Sequence, residues 1–232
     1  MKGVLYLIPV PIADEEENSD LLYPLLEQTV NSLNEFIVED LKTARRSLRK
    51  IKFKGEFDKA VFHLLNEHTD VKSIESFLAS AEKGKNIGLM SEAGMPCIAD
   101  PGSNIVRLAH KKNIKVVPLY GQSSIVLALA ASGLNGQIFC FHGYLPKDQV
   151  NRKRKLKDIE KREGAQIFIE TPYRNNHLLS DIIETCSPEI LLCLAMNVTG
   201  KSEMILTKSI ALWKKSELPN LDKQPTVFLL GR

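Results

Sequence analysis

The loop at positions 91–102, Ser-Glu-Ala-Gly-Met-Pro-Cys-Ile-Ala-Asp-Pro-Gly, constrains the fold more than any other stretch of this sequence. A short apolar run at 87–90 precedes it and is typical of a buried parallel strand. Ser103 can cap the helix that follows, whose apolar stripe begins at Ile105. The stretch therefore predicts a strand, a loop rich in glycine and proline, and a helix.

Loops of this kind lie at the carboxyl ends of strands, where open α/β sheets bind ligands. Gly94 and Gly102 allow a ligand to approach the main chain, and Pro96 and Pro101 restrict the conformation of the loop. An ordinary connection between a strand and a helix, rich in turn residues, explains the same composition equally well. The loop alone leaves a ligand site and a structural turn both open.

A second stretch, Gly-Gln-Ser-Ser at 121–124, follows an apolar run at 114–117 that predicts another strand. It leads into a helix of small residues at 125–132, which Gly133 is expected to end. The two stretches together are far more specific than either one alone. They predict two consecutive connections in which main chain is available to a ligand.

Taken together, Ser-Glu-Ala-Gly-Met-Pro-x3-Asp-Pro-Gly and Gly-x-Ser-Ser-x3-Ala-Leu-Ala-x-Ser-Gly resemble the signatures of the tetrapyrrole-methylase superfamily of S-adenosylmethionine-dependent methyltransferases. The chain looks most like the branch that 2′-O-methylates a cytidine of small-subunit ribosomal RNA. His-Gly-Tyr-Leu-Pro at 142–146 and Ile-Phe-Ile-Glu-Thr-Pro-Tyr-Arg at 167–174 are similar to the next two signatures of that branch. The resemblance implies a two-domain α/β fold with the cofactor in the cleft between the domains.

The resemblance also implies S-adenosylmethionine as the cofactor and places its contacts in several loops. The positions that match the contacts of the family are Pro11, Ala93, Gly94, Met95, Ile98, Ser123, Ser124, Glu170 and Thr171. The branch usually has Thr at the position of Met95 and Pro at the position of Gln122. Because most cofactor contacts in the family involve the main chain, these differences are compatible with binding.

Methyl transfer from a sulfonium is an in-line displacement, for which the protein mainly aligns the attacking group. A ribose hydroxyl is a poor nucleophile, so a carboxylate or another base placed beside it assists the reaction. Four acidic side chains at predicted strand ends are candidates for this role: Glu39, Asp40, Glu92 and Asp100. An acidic helix N-terminus explains the first two equally well, and the sequence does not rank the four.

Two basic stretches of the sequence predict a nucleic-acid partner. In the branch that this chain resembles, that partner is structured ribosomal RNA. In the helix whose apolar stripe contains Leu41, Ala44, Leu48 and Ile51, nearly every other position is basic. The predicted RNA contacts are Lys42, Arg45, Arg46, Arg49, Lys50, Arg152 and Arg154. The second stretch, a predicted helix at 151–163, also carries acids, so a solvated helix surface remains an alternative for both stretches.

Strands alternate with helices along the whole chain, which predicts an α/β fold. The segment 118–121 is expected to be a hinge, which gives domains at 1–118 and 119–232. In the second half, strands are predicted at 138–141, 166–169, 190–195 and 226–230, and helices at 151–163 and 177–184. In the first half, strands are also predicted at 36–38 and near the N-terminus, with helices over 22–33 and 70–84.

Composition narrows the remaining possibilities. The chain of 232 residues is 44% hydrophobic and 25% charged, with a formal net charge of +3, as in ordinary globular proteins. No apolar run reaches the roughly 18 residues of a membrane helix and no signal peptide is evident, so a cytoplasmic location without membrane contact is expected. The four cysteines lack metal-ligand spacing, so free and buried thiols are expected and no metal site is predicted. The resemblance implies a homodimer.

Two other functions remain open at this point. A methyltransferase for a small molecule, such as a tetrapyrrole precursor, fits the same loops, and a non-catalytic RNA-binding relative fits the basic helices. The branch usually has Glu-Asp-Thr-Arg where this chain has Glu-Asp-Leu-Lys at 39–42, and Arg-Glu-Leu-Thr-Lys where it has Met-Asn-Val-Thr-Gly at 196–200. Because these differences lie nearer the substrate, they bear on the substrate more than on the cofactor.

Overall fold

The computed structural model describes residues 1–13, 24–66 and 69–232. It divides into two compact units, Met1–Ser123 and Ser124–Arg232, each with its own sheet. The predicted domain boundary follows residue 118, whereas the first unit extends to Ser123. The beginning of the helix predicted over 22–33 lies outside the described residues, as does the acidic stretch at 14–20 that the sequence predicts as a solvated loop.

The first unit contains a parallel sheet with helices in its connections. Its described strands are β1 (Val4–Ile8), β2 (Glu35–Val38), β3 (Val61–Leu64), β4 (Ile87–Met90) and β5 (Lys115–Pro118). Its described helices are α1 (Pro24–Asn31), α2 (Leu41–Lys50), α3 (Val71–Ser76), α4 (Ala79–Glu82) and α5 (Ser103–Lys111). The strands pair in the order β3-β2-β4-β1-β5 and are all parallel, so their carboxyl ends lie at one edge of the sheet.

Apolar side chains cover both faces of this sheet, as a parallel sheet requires. Leu5 and Ile37 belong to the cluster on one face, and Ile8 and Phe36 belong to the cluster on the other. Gly88 in β4 leaves room for the second cluster, because a Cβ atom there would lie 2.5 Å from Cδ1 of Ile8. The register pairs Leu89 with both Leu7 and Ile37, which sets the positions of the loops that follow these strands.

The second unit contains a mixed sheet. Its described strands are β6 (Phe139–Tyr144), β7 (Ala165–Ile169), β8 (Leu191–Met196), β9 (Met204–Ser209) and β10 (Thr226–Gly231). Its described helices are α6 (Ser124–Ala131), α7 (Gln149–Ile159), α8 (Asn175–Thr185) and α9 (Ile210–Trp213). The order is β6-β7-β10-β8-β9, with β10 antiparallel to both of its neighbours, so the carboxyl ends of β6, β7 and β8 lie at one edge.

Aromatic side chains anchor the core of the second unit. The rings of Phe168 and Phe228 stack across β7 and β10, with centroids 5.9 Å apart and planes 3° from parallel. Trp213 is fully buried, and its indole N–H donates to the carbonyl of Leu192 at 2.9 Å. This bond satisfies a polar atom that would otherwise be buried without a partner, which fixes α9 against the sheet.

Most of the predicted elements are confirmed, with shifted end points. The strand predicted at 138–141 is β6, which extends to Tyr144, and the helix predicted at 151–163 is α7, which ends at Ile159. The sequence did not predict β3 or β9, each of which lies at one edge of its sheet. β3 is only four residues long and includes His63, and β9 ends in three polar residues, so neither forms an unbroken apolar run.

Several details of the helices differ from the prediction. The helix predicted over 70–84 is interrupted at Phe77 and Leu78, a turn between α3 and α4 that buries both side chains. Ser103 is the first residue of α5, and its predicted capping bond is absent because Gly102 occupies the cap position. Leu41 is exposed, so the apolar stripe of α2 begins at Ala44.

The expectation of buried thiols is only partly correct. All four cysteines are free: Cys186 and Cys193 are buried, Cys97 is half-buried, and Cys140 is exposed because it lies on the edge strand β6. Within the described part of the chain, no helix combines the length and the apolar character needed to cross a membrane.

Candidate functional site

The loops after β1 and β4 are joined at the carboxyl edge of the first sheet. The amide of Val10 donates to the carbonyl of Gly94 at 2.9 Å, and the amide of Gly94 donates to the carbonyl of Val10 at 3.0 Å. The reciprocal bonds bring Pro11, which follows Val10, close to the main chain of Ala93 and Met95. Four positions that the family resemblance implies as cofactor contacts therefore lie together.

A third loop, which follows β5, joins the same cluster. The side-chain oxygen of Gln122 accepts from the amide of Ile12 at 3.3 Å. Gly121 approaches Pro9 so closely that a Cβ atom would lie 2.2 Å from Cβ of the proline. We call the residues 9–13, 91–102 and 119–123 the loop cluster. The bridge made by Gln122 was missed, because the sequence shows only that this residue departs from the usual Pro.

Gly94 lies at the centre of the loop cluster. Its φ of +70° belongs to the left-handed region, and a Cβ atom would lie 3.1 Å from Cγ2 of Ile12 and 3.4 Å from the carbonyl of Gln122. Ala93 and Ile98 are exposed, and Met95 is half-buried. Ala93, Met95 and Ile98 place apolar side chains beside this fixed main chain, which suits a sulfonium cofactor, so the residues present fit S-adenosylmethionine.

Two other residues of the loop 91–102 have strained backbone. Cys97 and Ala99 have φ values of +70° and +66°, which non-glycine residues rarely adopt. The carboxylate of Asp100 holds this conformation, because Oδ2 accepts from the amide of Cys97 and Oδ1 from the amide of Gly102, both at 2.7 Å. Strain that the surroundings enforce is typical of ligand sites. No local sequence pattern predicts this strain.

Glu39 lies beside this loop because β2 and β4 are neighbours in the sheet. Its Oε1 accepts from the amide of Glu92 at 3.2 Å. Burial raises the pKa of Glu39 to about 7, and the negative charge of Asp100 adds to the shift. Burial also raises the pKa of Asp100, against the bonds from the amides of Gly102 and Cys97. Three of the four predicted acids therefore lie close together.

The fourth acid, Asp40, has a structural role. Its Oδ1 accepts from the amide of Thr43 at 2.7 Å and caps the N-terminus of α2. This bond and the Thr43 side chain lower the pKa of Asp40. The alternative considered from the sequence, an acidic residue at a helix N-terminus, therefore describes Asp40. It does not describe Glu39, which lies beside the loop 91–102.

The remaining predicted cofactor positions lie at the start of α6 and directly after β7. Ser124 is the first residue of α6, directly after Ser123, and both are half-buried. Glu170 and Thr171 follow the carboxyl end of β7. Glu170 is buried, accepts from the amide of Thr171 at 2.6 Å and pairs with the guanidinium of Arg174. The sequence did not predict this ion pair, which occupies the Glu170 carboxylate.

The segment 196–200 forms an ordered turn after β8. Asn197 and Thr199 have φ values of +49° and +69°. The side-chain amide of Asn197 donates to Oε1 of Gln224 at 2.6 Å, and the amide of Thr199 donates to Oε2 of Glu203 at 2.6 Å. The residues at 196–200 that differ from the branch therefore take part in a local hydrogen-bond network. This network lies at the same edge of the sheet as Glu170.

The basic residues of α2 differ in their surroundings. Arg45 is half-buried, with its guanidinium 5.7 Å from the ring centroid of Phe62 and 5.9 Å from that of Phe57. Arg49 is exposed and lies 4.9 Å from the centroid of Phe57. Lys42 and Arg46 are exposed, and Lys50 is half-buried. The helix therefore carries cations over an aromatic surface, and Arg45 contributes to packing.

A contact with RNA requires an exposed side chain, but Arg152 of α7 is buried. It is 7% exposed, and its guanidinium donates to Oδ2 of the buried Asp181 at 2.7 Å and to the carbonyl of Lys147 at 2.7 Å. The position is wrong for a phosphate contact because the acid of α8 draws the side chain inward. Arg154 is exposed, and its guanidinium donates to Asn151.

Comparisons with known proteins cover both units. Residues 7–210 match the family Tetrapyrrole (Corrin/Porphyrin) Methylases. Ribosomal RNA small subunit methyltransferase I of Buchnera aphidicola subsp. Schizaphis graminum is 31% identical over 231 residues, which cover 98% of this chain and 78% of the relative.

Solved structures share the fold. The methyltransferase CobJ has a TM-score of 0.66 and 17% identity, with 99% of this chain and 94% of its own covered. The uroporphyrin-III C-methyl transferase of Thermus thermophilus, solved in complex with S-adenyl homocysteine, has a TM-score of 0.59 and 14% identity, with 99% and 98% covered.

Proposed function

The chain belongs to the tetrapyrrole methylase family and is an S-adenosylmethionine-dependent methyltransferase, and we propose that it methylates a ribose 2′-hydroxyl of ribosomal RNA. The observation that carries the substrate is the 31% identity, over 98% of this chain, to a ribosomal RNA small subunit methyltransferase. The tetrapyrrole methyltransferases share the fold at 17% and 14% identity, which supports no substrate. The ribose position rests on the branch signatures in the sequence.

S-adenosylmethionine supplies an electrophilic methyl group carried on a sulfonium. We assign its contacts in the first unit to the loop cluster and in the second unit to the residues after β7 and at the start of α6. The assigned residues are Pro11, Ala93, Gly94, Met95, Ile98, Ser123, Ser124, Glu170 and Thr171. Gly94 joins the loops after β1 and β4 through its amide and carbonyl, Ala93 and Ile98 present exposed apolar side chains, and Asp100 holds the loop in position.

For the RNA, we assign the phosphate contacts to the exposed cations of α2. Lys42, Arg46 and Arg49 are exposed on this helix, and the aromatic surface beneath Arg49 positions its guanidinium. Lys50 and Arg154 are further contacts in the proposal, whereas Arg45 supports the surface from below. A row of cations along one helix is a suitable surface for a phosphate backbone.

The proposal includes a homodimer and a cytoplasmic location. The homodimer rests on the family resemblance, and the location rests on ribosomal RNA as the substrate. Light scattering of the purified chain, expected to give about twice the monomer mass of 26.0 kDa, tests the oligomeric state. A mass of one chain over the whole concentration range would contradict it.

The function is tested by methyl transfer from isotope-labelled S-adenosylmethionine to unmodified small-subunit ribosomal RNA. Digestion to nucleosides and mass spectrometry are expected to show label in one 2′-O-methylated nucleoside. The same assay with a tetrapyrrole precursor is expected to show no transfer. Label in a nucleobase, label only in the tetrapyrrole, or cofactor binding without any transfer would each contradict the proposal.

A further inference from the structure

Glu39 differs from the other acids at the carboxyl edge of the first sheet in its hydrogen bonds and its burial. It is the first residue after β2, at the carboxyl edge of the sheet, and Oε1 accepts from the amide of Glu92 at 3.2 Å. Glu92 directly precedes Ala93 and Gly94 of the loop cluster. The carboxyl group therefore lies beside the residues to which we assign the cofactor, and Lys42, the first exposed cation of α2, is three positions farther along the chain.

The other three acids at this edge are occupied or solvated. Asp40 caps α2 through the amide of Thr43, and both oxygens of Asp100 accept from amides of its own loop. The side chain of Glu92 is exposed. Within the described ranges, no cation lies at ion-pair distance from Glu39, whose single described bond leaves one carboxylate oxygen available.

From this arrangement we propose that Glu39 is the general base that accepts the proton of the ribose 2′-hydroxyl during methyl transfer. The role rests on the proposed function. In the step, the hydroxyl oxygen forms a bond to the methyl carbon while the bond from that carbon to sulfur breaks and its electron pair goes to sulfur. The hydroxyl proton moves to a carboxylate oxygen of Glu39 and is later released to water.

The electrostatic environment suits a base at neutral pH. Burial raises the pKa of Glu39 to about 7, with a further contribution from Asp100 and a smaller one from Glu92, opposed by the bond from the amide of Glu92. These two acids are the charged groups that face it from the loop 91–102. A base with a pKa near the working pH combines a large ionised fraction with a strong tendency to accept a proton.

The first experiment compares Glu39→Gln with the parent in single-turnover methylation of ribosomal RNA. The rate is expected to fall by about 100-fold or more, a usual loss for a general base, while titration gives unchanged affinities for S-adenosylmethionine and for RNA. Asp40→Ser is the matched control, because serine keeps the cap of α2 while an adjacent carboxylate is removed. Its rate is expected to equal that of the parent.

The pH dependence separates a base from a purely structural residue. The parent rate is expected to rise with pH through an apparent pKa of about 7, and this limb is expected to disappear in Glu39→Gln. Independently of activity, NMR of carboxyl-labelled glutamate is expected to show one resonance that titrates near pH 7 and is absent from Glu39→Gln.

The outcomes distinguish the two proposals. A parent that methylates RNA and a Glu39→Gln variant within twofold of its rate would overturn the role of Glu39 alone, as would titration of its carboxyl near the ordinary 4.5. A parent that methylates no RNA would overturn the proposed function and this role with it.

Discussion

Acidic side chains in the two units have opposite surroundings. In Ser124–Arg232, the buried Asp181 is paired with Arg152 and also accepts from Gln149 at 2.8 Å. In Met1–Ser123, the partly buried Glu39 and Asp100 lie near each other, and main-chain amides are their described hydrogen-bond donors. The buried Asp181 is therefore neutralised by a cation, whereas Glu39 and Asp100 keep charge of one sign together.

The pKa values follow this difference. Burial acts to raise the pKa of Asp181, but the bonds from Gln149 and Arg152 outweigh it and lower the value. For Glu39 and Asp100, burial prevails and the pKa is raised. Removal of one partner of a buried ion pair costs stability because the other charge is left buried without a partner, whereas carboxyl groups with strongly shifted pKa values cluster at functional sites. We therefore expect the second unit to respond to loss of charge in stability, and the first to respond in function.

The largest expected effect is on stability, in Arg152→Ala. Removing the guanidinium leaves the carboxylate of Asp181 buried without its main cation, so the free energy of unfolding is expected to fall by about 3–5 kcal/mol. Denaturant unfolding measures it. Arg154→Ala, at an exposed position of the same helix, is the control and is expected to change it by less than about 0.5 kcal/mol. Equal losses in the two variants would break the comparison.

A smaller effect, on RNA binding, is expected to separate the two basic helices. Lys42→Gln with Arg49→Gln removes two exposed cations of α2, and RNA affinity is expected to fall about tenfold, with the salt slope reduced by about two. The measurement is binding to ribosomal RNA fragments at several salt concentrations. Arg45 is left unchanged because it packs on Phe57 and Phe62.

The matched control for this prediction lies in α7. Lys153→Gln with Lys157→Gln removes the same charge from cations that pair with Glu184 and Glu160. RNA affinity is expected to stay within about twofold of the parent, because these cations are already neutralised. Equal losses of affinity in the two double variants would mean that only net charge matters.

The smallest effect is the dependence of stability on pH in Glu39→Gln. The pKa of Glu39 is raised from 4.5 to about 7, so between these values the folded protein retains a proton that the unfolded chain has released. The carboxylate therefore costs no stability below about pH 4.5 and its full cost above about pH 7. Allowing for solvent screening, Glu39→Gln is expected to be about 1 kcal/mol more stable than the parent at pH 8 and equal to it at pH 4.5. Thermal unfolding at both pH values measures the difference, and a variant less stable than the parent at pH 8 would contradict it.

Local sequence predicted the central strands and the positions of their loops well. Apolar runs such as 87–90 and glycines such as Gly94 carry their information within a few residues. Strands β3 and β9 were missed, because a histidine interrupts the first and the second ends in three polar residues. The assignment of Arg152 to RNA failed because its partner, Asp181, lies on another helix. A charge run does not show which of its cations a distant acid will neutralise.

The residues of the candidate site could be predicted from the sequence, but their contacts with one another could not. Glu39 and Asp40 are adjacent acids with the same chemistry in sequence, yet one caps a helix and the other lies next to Asp100. The bridge from Gln122 to Ile12 joins residues that are far apart in the chain. Which acid is compensated depends on loop contacts made only after folding.

The most direct test of the loop cluster as the cofactor site is calorimetric titration of S-adenosylmethionine into two glycine variants. Gly94 and Gly133 have φ values of +70° and +72°, so valine introduces similar backbone strain at both. Only at Gly94 would a Cβ atom meet other residues of the loop cluster, since Gly133 has nothing within 4 Å of that position. With both variants folded by circular dichroism, we expect Gly133→Val to bind like the parent and Gly94→Val to lose at least about tenfold in affinity. Equal affinities for the two variants would contradict the assignment of the cofactor to this loop cluster.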